Sequence, residues 1–347
     1  MIASRRVGFY AGAASNVHSP AAFRPFMHNC PRPEAGANLL KDPAMTPSEV
    51  SRRDFLQSAG AAVTCAGLAS VASAAPSASS EKKYKKSLKY SMVKSKASML
   101  DNFKMLVDVG FDGVELQAPN KYKLDEVLAA RDKTGLQLPG VIEATHWQVR
   151  FSDPDPTKRG EAVDTLKKAL HDCKAYGGTT VLVVPAVVDK DVSYADAYKY
   201  SQASIRQALP TAAETGVKIA FENVWNNFLL SPLEFARYID EFESPWVGAY
   251  FDVGNIVRYG WPEQWIRTLG KRILKLDIKE YSRKVADDEG TRKGFKVELL
   301  EGDCDWPAVM TALREIGYTG WGSAEVPGGD ERRLREISTR MDRIFAL

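Results

Sequence analysis

Histidine is scarce in this sequence, with 4 residues in 347. Two of them, His18 and His28, fall in the N-terminal stretch, which leaves His146 and His171 for a folded body. A metal centre built from several imidazoles is thereby excluded. Cysteine is equally rare, also 4 residues. Cys30, Cys65, Cys173 and Cys304 show no close spacing, which removes a zinc knuckle and a disulfide framework. No strongly apolar run approaches the roughly 20 residues of a membrane span, so no membrane anchor is expected. The net charge is only +3, too small to make nucleic acid or an anionic membrane the main partner. What remains is an ordinary globular balance, 44% apolar and 26% charged.

The N-terminus reads as a targeting segment. Residues 51–75 run SRRDFLQSAGAAVTCAGLASVASAA, with Arg52 and Arg53 ahead of a weakly apolar, Ala-rich run that ends in Ala72-Ser73-Ala74. This pattern resembles a bacterial twin-arginine export signal over 45–75, with export to the periplasm or beyond. Residues 1–44 show no periodicity and are read as a spurious extension, with Met45 a better start. Residues 76–88 are read as a Ser/Lys-rich linker and 89–347 as the catalytic body.

From Lys89 onward, short apolar runs alternate with amphipathic stretches. The strands are expected at 89–94, 113–118, 138–144, 179–185, 217–223, 247–253, 273–280 and 320–326. Most are continuously apolar, as parallel strands buried on both faces are. Between them, Trp306, Val309, Met310, Leu313 and Ile316 keep a helical period. Gly110, Gly135, Gly216 and Gly317 stand where helices end, and Ser231-Pro232 and Trp261-Pro262 where they begin. Eight units in about 260 residues fit a (β/α)₈ TIM barrel. The alternative, an open doubly wound sheet, usually carries a Gly-rich loop after its first strand, and SMVKSKAS (91–98) has none.

Barrel chemistry sits at the C-terminal strand ends. Four consecutive strands, the fifth to the eighth, carry a carboxylate inside an apolar run: Glu222, Asp252, Asp277 and Glu325. A buried carboxylate is expensive unless paired or bound to metal. One such acid reads as a core ion pair. Four at one barrel mouth suggest a hard divalent cation with oxygen ligands, Mn²⁺ or Mg²⁺. Further polar residues at strand ends are Glu115, Glu143, His146, Trp147, Asn223, Asn255 and Lys279, candidate contacts for a substrate.

Six stretches carry a resemblance: GFDGVELQAP (110–119), KIAFENVWNNFLLSP (218–232), AYFDVGN (249–255), ILKLDIKEY (273–281), EGDCDW (301–306) and GYTGWGSAEVPGGD (317–330). In this order they resemble the xylose isomerase-like superfamily, in its sugar phosphate isomerase/epimerase branch. The resemblance implies a metal held by Glu222, Asp252, Asp277 and Glu325. It departs in two places: Asp277 stands where the family has His, and Asn255 where His is frequent. The resemblance also implies that Glu222 and Glu325 exchange a proton next to a carbonyl, through an enediolate, on a ketose or keto-sugar that is either free or phosphorylated. Neither nucleic acid nor a membrane anchor is implied, and a homo-oligomer is compatible.

Two other functions stay open at this point. An exported, non-catalytic carbohydrate-binding barrel would explain the missing seventh-strand His. An abasic-site endonuclease shares the fold, but its zinc cluster needs more histidines than His146 and His171.

Overall fold

Seven of the eight apolar runs expected to be strands are strands, although each is shorter than its hydrophobic stretch. The computed structural model describes residues 82–347. The strands are β1 Tyr84–Leu88, β2 Leu116–Ala118, β3 Gly140–Glu143, β4 Thr180–Val183, β5 Lys218–Glu222, β6 Val247–Asp252, β7 Ile273–Ile278 and β8 Gly320–Ala324. All pair in parallel, in the order β1-β8-β7-β6-β5-β4-β3-β2. A bridge between Lys89 and Glu115 joins the two ends of that order. With helices in the connections, this is the (β/α)₈ barrel and not an open sheet.

One boundary differs from expectation. The first strand was placed at 89–94, but β1 is Tyr84–Leu88, and Tyr90–Met92 form a 3₁₀ turn after it. The expected linker therefore contains the first barrel strand. The lysine-rich run that suggested a solvated tether is a strand with two faces. Lys86 points outward to Asp342 at 2.7 Å, while Lys89 points to the barrel axis and meets Glu115 at 3.1 Å. The extension at 1–44, the export signal at 45–75 and the first part of the linker lie outside the described residues.

The helix signals hold. Ser231 caps the helix Pro232–Asp240 by accepting from the Glu234 N–H. The helix Pro262–Leu269 starts at the second Pro signal. Trp306, Val309, Met310 and Leu313 are the buried face of the helix Trp306–Glu315. Gly135 ends the helix Leu124–Thr134 at φ 73°, a left-handed conformation that a side chain would strain. Among the described residues, no helix is long and apolar enough to cross a membrane.

Inside the barrel the strand period of two stacks side chains in layers. Leu182, Ala220 and Tyr250, with Ile142 and Leu274, fill the axis. Lys275 crosses the same interior to Glu115 at 2.7 Å. Gly140 makes the room: a Cβ there would stand 2.6 Å from the Lys275 ammonium. One pleat repeat further along β5, β6 and β7 come Glu222, Asp252 and Asp277.

Candidate active site

The strand ends of β5 to β8 bring four acids together. Glu222, Asp252, Asp277 and Glu325 each offer a carboxylate oxygen, and these atoms lie within 4.8 Å of one another. Glu222, Asp252 and Asp277 are buried. Glu325 is the exception, with 37% of its side chain exposed, so solvent reaches the cluster from its side.

Local hydrogen bonds hold the acids in place. Asp252 ends β6 and caps the short helix Val253–Val257, its Oδ1 accepting from the Asn255 N–H at 2.8 Å. Asn223 stitches β5 to β6: its amide donates to the Asp252 carbonyl at 2.7 Å, and its oxygen accepts from the Asp252 N–H at 2.9 Å. Asn255 turns back to β5, donating to the Asn223 carbonyl at 3.0 Å and reaching Glu222 Oε1 at 3.4 Å. Behind β7, Glu280 is buried and accepts from the Leu300 and Cys304 N–H groups and the Trp306 indole, which anchors the loop that covers this side.

Two lysines enter the cluster. Lys279 lies 3.2 Å from Asp252 and 3.4 Å from Glu325. Lys89 lies 2.8 Å from Asp277. Burial, with Glu325 and Asp252 beside it, pushes the Glu222 carboxyl well up. Burial also pushes Asp277 well up, against the pull of Lys89. Asp252 is pushed up to about 6 by burial, with Lys279 opposing. Glu325 goes the other way: burial raises it, but Lys279 and Lys89 outweigh that and hold it below the ordinary glutamate value. Adjacent carboxylates driven apart in this way are suited to opposite roles in proton transfer.

The cluster fits a divalent cation. Four carboxylates and two ammonium groups leave two formal negative charges (−4 + 2), which one dication balances. The donors are all oxygens, the set that hard cations take. Asp277 Oδ2 is buried and has no hydrogen-bond donor among the described residues, and a buried polar atom in that state calls for a ligand.

The other expected contacts divide. His146 is buried, and its Nδ1 accepts from the Val184 N–H at 3.3 Å. Nε2 therefore carries the hydrogen. Burial pushes this imidazole down to about 4, so it is neutral at neutral pH, and Glu325 and Lys89 are the charges that act on it. Trp147 is exposed and stands edge-on to His146 at 5.8 Å. Glu115 and Glu143 do not join the acids. Glu115 belongs to the layer below, where Lys275, Lys89 and the Tyr250 hydroxyl engage both of its oxygens. Glu143 follows the inward-facing Ile142 and so turns to the opposite face. Its carboxylate accepts from the N–H and hydroxyl of Thr145. The Asn223 amide is held by the Asp252 backbone and does not turn to the mouth.

Lys89 and Tyr250 are site residues that strand-end reasoning passed over. The alternation Lys85-x-Ser87-x-Lys89 was available as a signal, since a strand there places Lys89 on the inner face.

Comparison with known proteins places this architecture. A family model described as xylose isomerase-like TIM barrel matches residues 103–344. L-Ribulose-5-phosphate 3-epimerase from Escherichia coli O1:K1 / APEC is 22% identical over 271 residues, covering 70% of this chain and 89% of that one. A 2-oxo-tetronate isomerase from Pectobacterium atrosepticum is 27% identical over 250 residues, covering 67% and 87%. Among solved structures, apo 3-keto-D-glucoside 4-epimerase from E. coli superposes with a TM-score of 0.62 at 17% identity, covering 76% of this chain and 100% of that one. The IOLI protein with a bound zinc atom gives 0.64 at 18%, covering 76% and 98%. At such identities the structures speak for the fold, while the family model spans most of the barrel. The chain belongs to the xylose isomerase-like TIM barrel family.

Proposed function

We propose that this protein is a sugar epimerase or isomerase that depends on a divalent metal and moves a proton on carbon next to a carbonyl. The observation that carries the reading is the four-acid cluster at the barrel mouth, with Glu222 and Glu325 at its two ends in strand order. The epimerase and isomerase names of its relatives support it.

Glu222, Asp252, Asp277 and Glu325 would hold Mn²⁺ or Mg²⁺, and the bound ion would stabilise as a Lewis acid the negative charge that develops on substrate oxygen. Glu325, ionised and open to solvent, removes the proton from the carbon beside the carbonyl. An enediolate results. Glu222, whose burial favours the protonated form, returns a proton from the other side. Return to the same carbon gives the epimer; return to its neighbour gives the isomer. Lys279 lies close to both Asp252 and Glu325, so it offsets charge as the proton moves. The neutral His146 presents its Nε2–H to a sugar hydroxyl, and Trp147 packs edge-on beside that ring.

Deuterium exchange tests this directly. Mature protein loaded with Mn²⁺ and incubated in D₂O with a panel of ketoses and keto-sugars incorporates deuterium at one substrate carbon. Glu222→Gln and Glu325→Gln lower that exchange by at least the roughly 10²–10⁴-fold of a lost acid–base group, without loss of fold. Near-normal exchange in both variants would remove the acid–base pair.

A further inference from the structure

On the β1–β2 side, the barrel mouth holds a cavity that the proton-transfer scheme does not use. It measures about 480 Å³ and lies over the ends of β1, β2 and β3, with Tyr90, Ser91, Asn102, Glu115, Gln117 and Tyr122 in its wall. A single side chain joins it to the cluster. Lys89 stands 3.1 Å from Glu115 in the cavity and 2.8 Å from Asp277 among the acids. A ligand centred on the acids therefore has this cavity as its neighbour on the β1–β2 side. Its volume falls within the range of roughly 300–1,000 Å³ that small-molecule sites occupy.

The chemistry of the wall selects the occupant. The one carboxylate, Glu115, is already neutralised by Lys275 and Lys89. Asn102 is engaged by the Tyr90 hydroxyl and the Ala97 carbonyl, and Asn120 by the Gln117 carbonyl and the Tyr176 hydroxyl. Among the described residues, four side chains of the wall have no bond inside the protein, the Gln117 amide, the Ser91 and Tyr122 hydroxyls and the Lys121 ammonium, and all but Lys121 are neutral. Gln117 lies two residues beyond Glu115 and shares its inward face. Tyr122 is half exposed and packs edge-on against Tyr90, with ring centres 6.0 Å apart. Uncharged donors and acceptors beside an exposed aromatic ring suit a neutral polyhydroxylated ring. A phosphate calls for several charge-assisted donors, and the cavity wall offers one, the exposed Lys121.

We propose that this cavity is a second sugar subsite and that the substrate is a glycosidic keto-sugar. Its reacting ring lies at the acids and its glycosidically linked neutral ring lies between Gln117 and Tyr122. This rests on the reading of the acid cluster given above.

The test compares three probes on the Mn²⁺-loaded enzyme: a keto-disaccharide, the keto-monosaccharide with the same reacting ring, and a ketose phosphate. Gln117→Ala and Tyr122→Ala should each lower kcat/KM for the disaccharide about tenfold, the size of one lost polar or stacking contact, through KM. The monosaccharide should be unaffected. An equal fall for both sugars, or no fall for either, overturns the subsite. So does a preference for the ketose phosphate that Lys121→Ala abolishes, which would make the cavity an anion site. Calorimetry with the unoxidised disaccharide reads the cavity without turnover. If both variants bind it as wild type does, the subsite is wrong although the acids catalyse. If all three probes are inert yet the variants weaken disaccharide binding, the proton-transfer reading fails and the subsite stands.

Discussion

Lys89 at the end of β1 and Asp277 in β7 meet at the barrel axis, ammonium to carboxylate at 2.8 Å, both buried. Lys89 also touches Glu115 and the Tyr250 hydroxyl, so one ammonium ties the acid layer to the layer beneath it. Burial acts to discharge this lysine, but Asp277, Glu115 and Glu325 more than compensate and keep it charged.

Removing that charge strands a buried acid. Lys89→Met in metal-free protein should cost about 3–5 kcal/mol, the range for breaking a buried ion pair from one side. Mn²⁺ should restore part of the loss, because a dication supplies the missing counter-charge. Urea denaturation of wild type and variant, with and without Mn²⁺, reads both effects. A variant as stable as wild type would show that the pair contributes nothing.

Asp277 should also set the preference among metals. An oxygen ligand favours Mn²⁺ or Mg²⁺, and imidazole is the softer donor. Asp277→His should therefore shift binding toward Zn²⁺ or Co²⁺, and Asp277→Ala should weaken every metal. Calorimetric titration of the three proteins with Mn²⁺ and Zn²⁺ decides. If wild type binds neither while Asp277→His binds Zn²⁺, the natural site is not a metal site, and the proton-transfer scheme falls with it.

His146 gives stability a pH dependence of known sign. Its pKa is about 4 in the fold against an ordinary 6.5, because burial disfavours the charged ring. The unfolded chain binds the proton first as pH falls. The stabilisation is complete above pH 6.5 and is lost progressively down to pH 4, by about 3 kcal/mol at most. Asp252, raised to about 6, acts in the opposite sense over part of this range, so the His146 share is read as a difference. His146→Gln should flatten the stability profile between pH 6.5 and 4 relative to wild type. Parallel profiles would show that the ring titrates normally.

The twin arginines Arg52 and Arg53 allow a cellular prediction. Under the proposal of twin-arginine export, replacing Arg52 and Arg53 with Lys should hold the protein in the cytoplasm, and the secreted form should begin near Ala75. Fractionation with N-terminal sequencing checks both. Undiminished export of the Lys variant would end that proposal.

The alternation of apolar runs and helices was legible because most strands are buried on both faces and several helices end at a glycine, as at Gly135 and Gly216. The four acids were legible because a carboxylate inside such a run has few explanations. Glu115 and Glu143 show the limit of that reasoning. Along the chain they look like Glu222, each at the end of an apolar run. What separates them is which face the strand presents and what stands across the barrel, Lys275 and Tyr250 for Glu115 and Thr145 for Glu143. Lys89 was hidden for a related reason. It follows a run with four other lysines, at 82, 83, 85 and 86, and its partners are Glu115, just before β2, and Asp277 in β7.

The seam of the barrel bears on how the chain reaches this state. Among the described residues β1 forms its ladder with β8 alone, from Tyr84 against Gly320 to Leu88 against Ala324. Tyr84 also packs on Phe345, with ring centres 5.4 Å apart, and Lys86 pairs with Asp342. The ribosome delivers β1 ahead of the other seven strands and its partners after them. β1 must therefore wait, with its apolar face uncovered, until nearly the whole barrel has been synthesised. Such distant pairings slow folding and prolong the exposure of unpaired edges. Lysines at 82, 83, 85, 86 and 89 keep that waiting segment charged, a composition that resists pairing with other chains until β8 arrives.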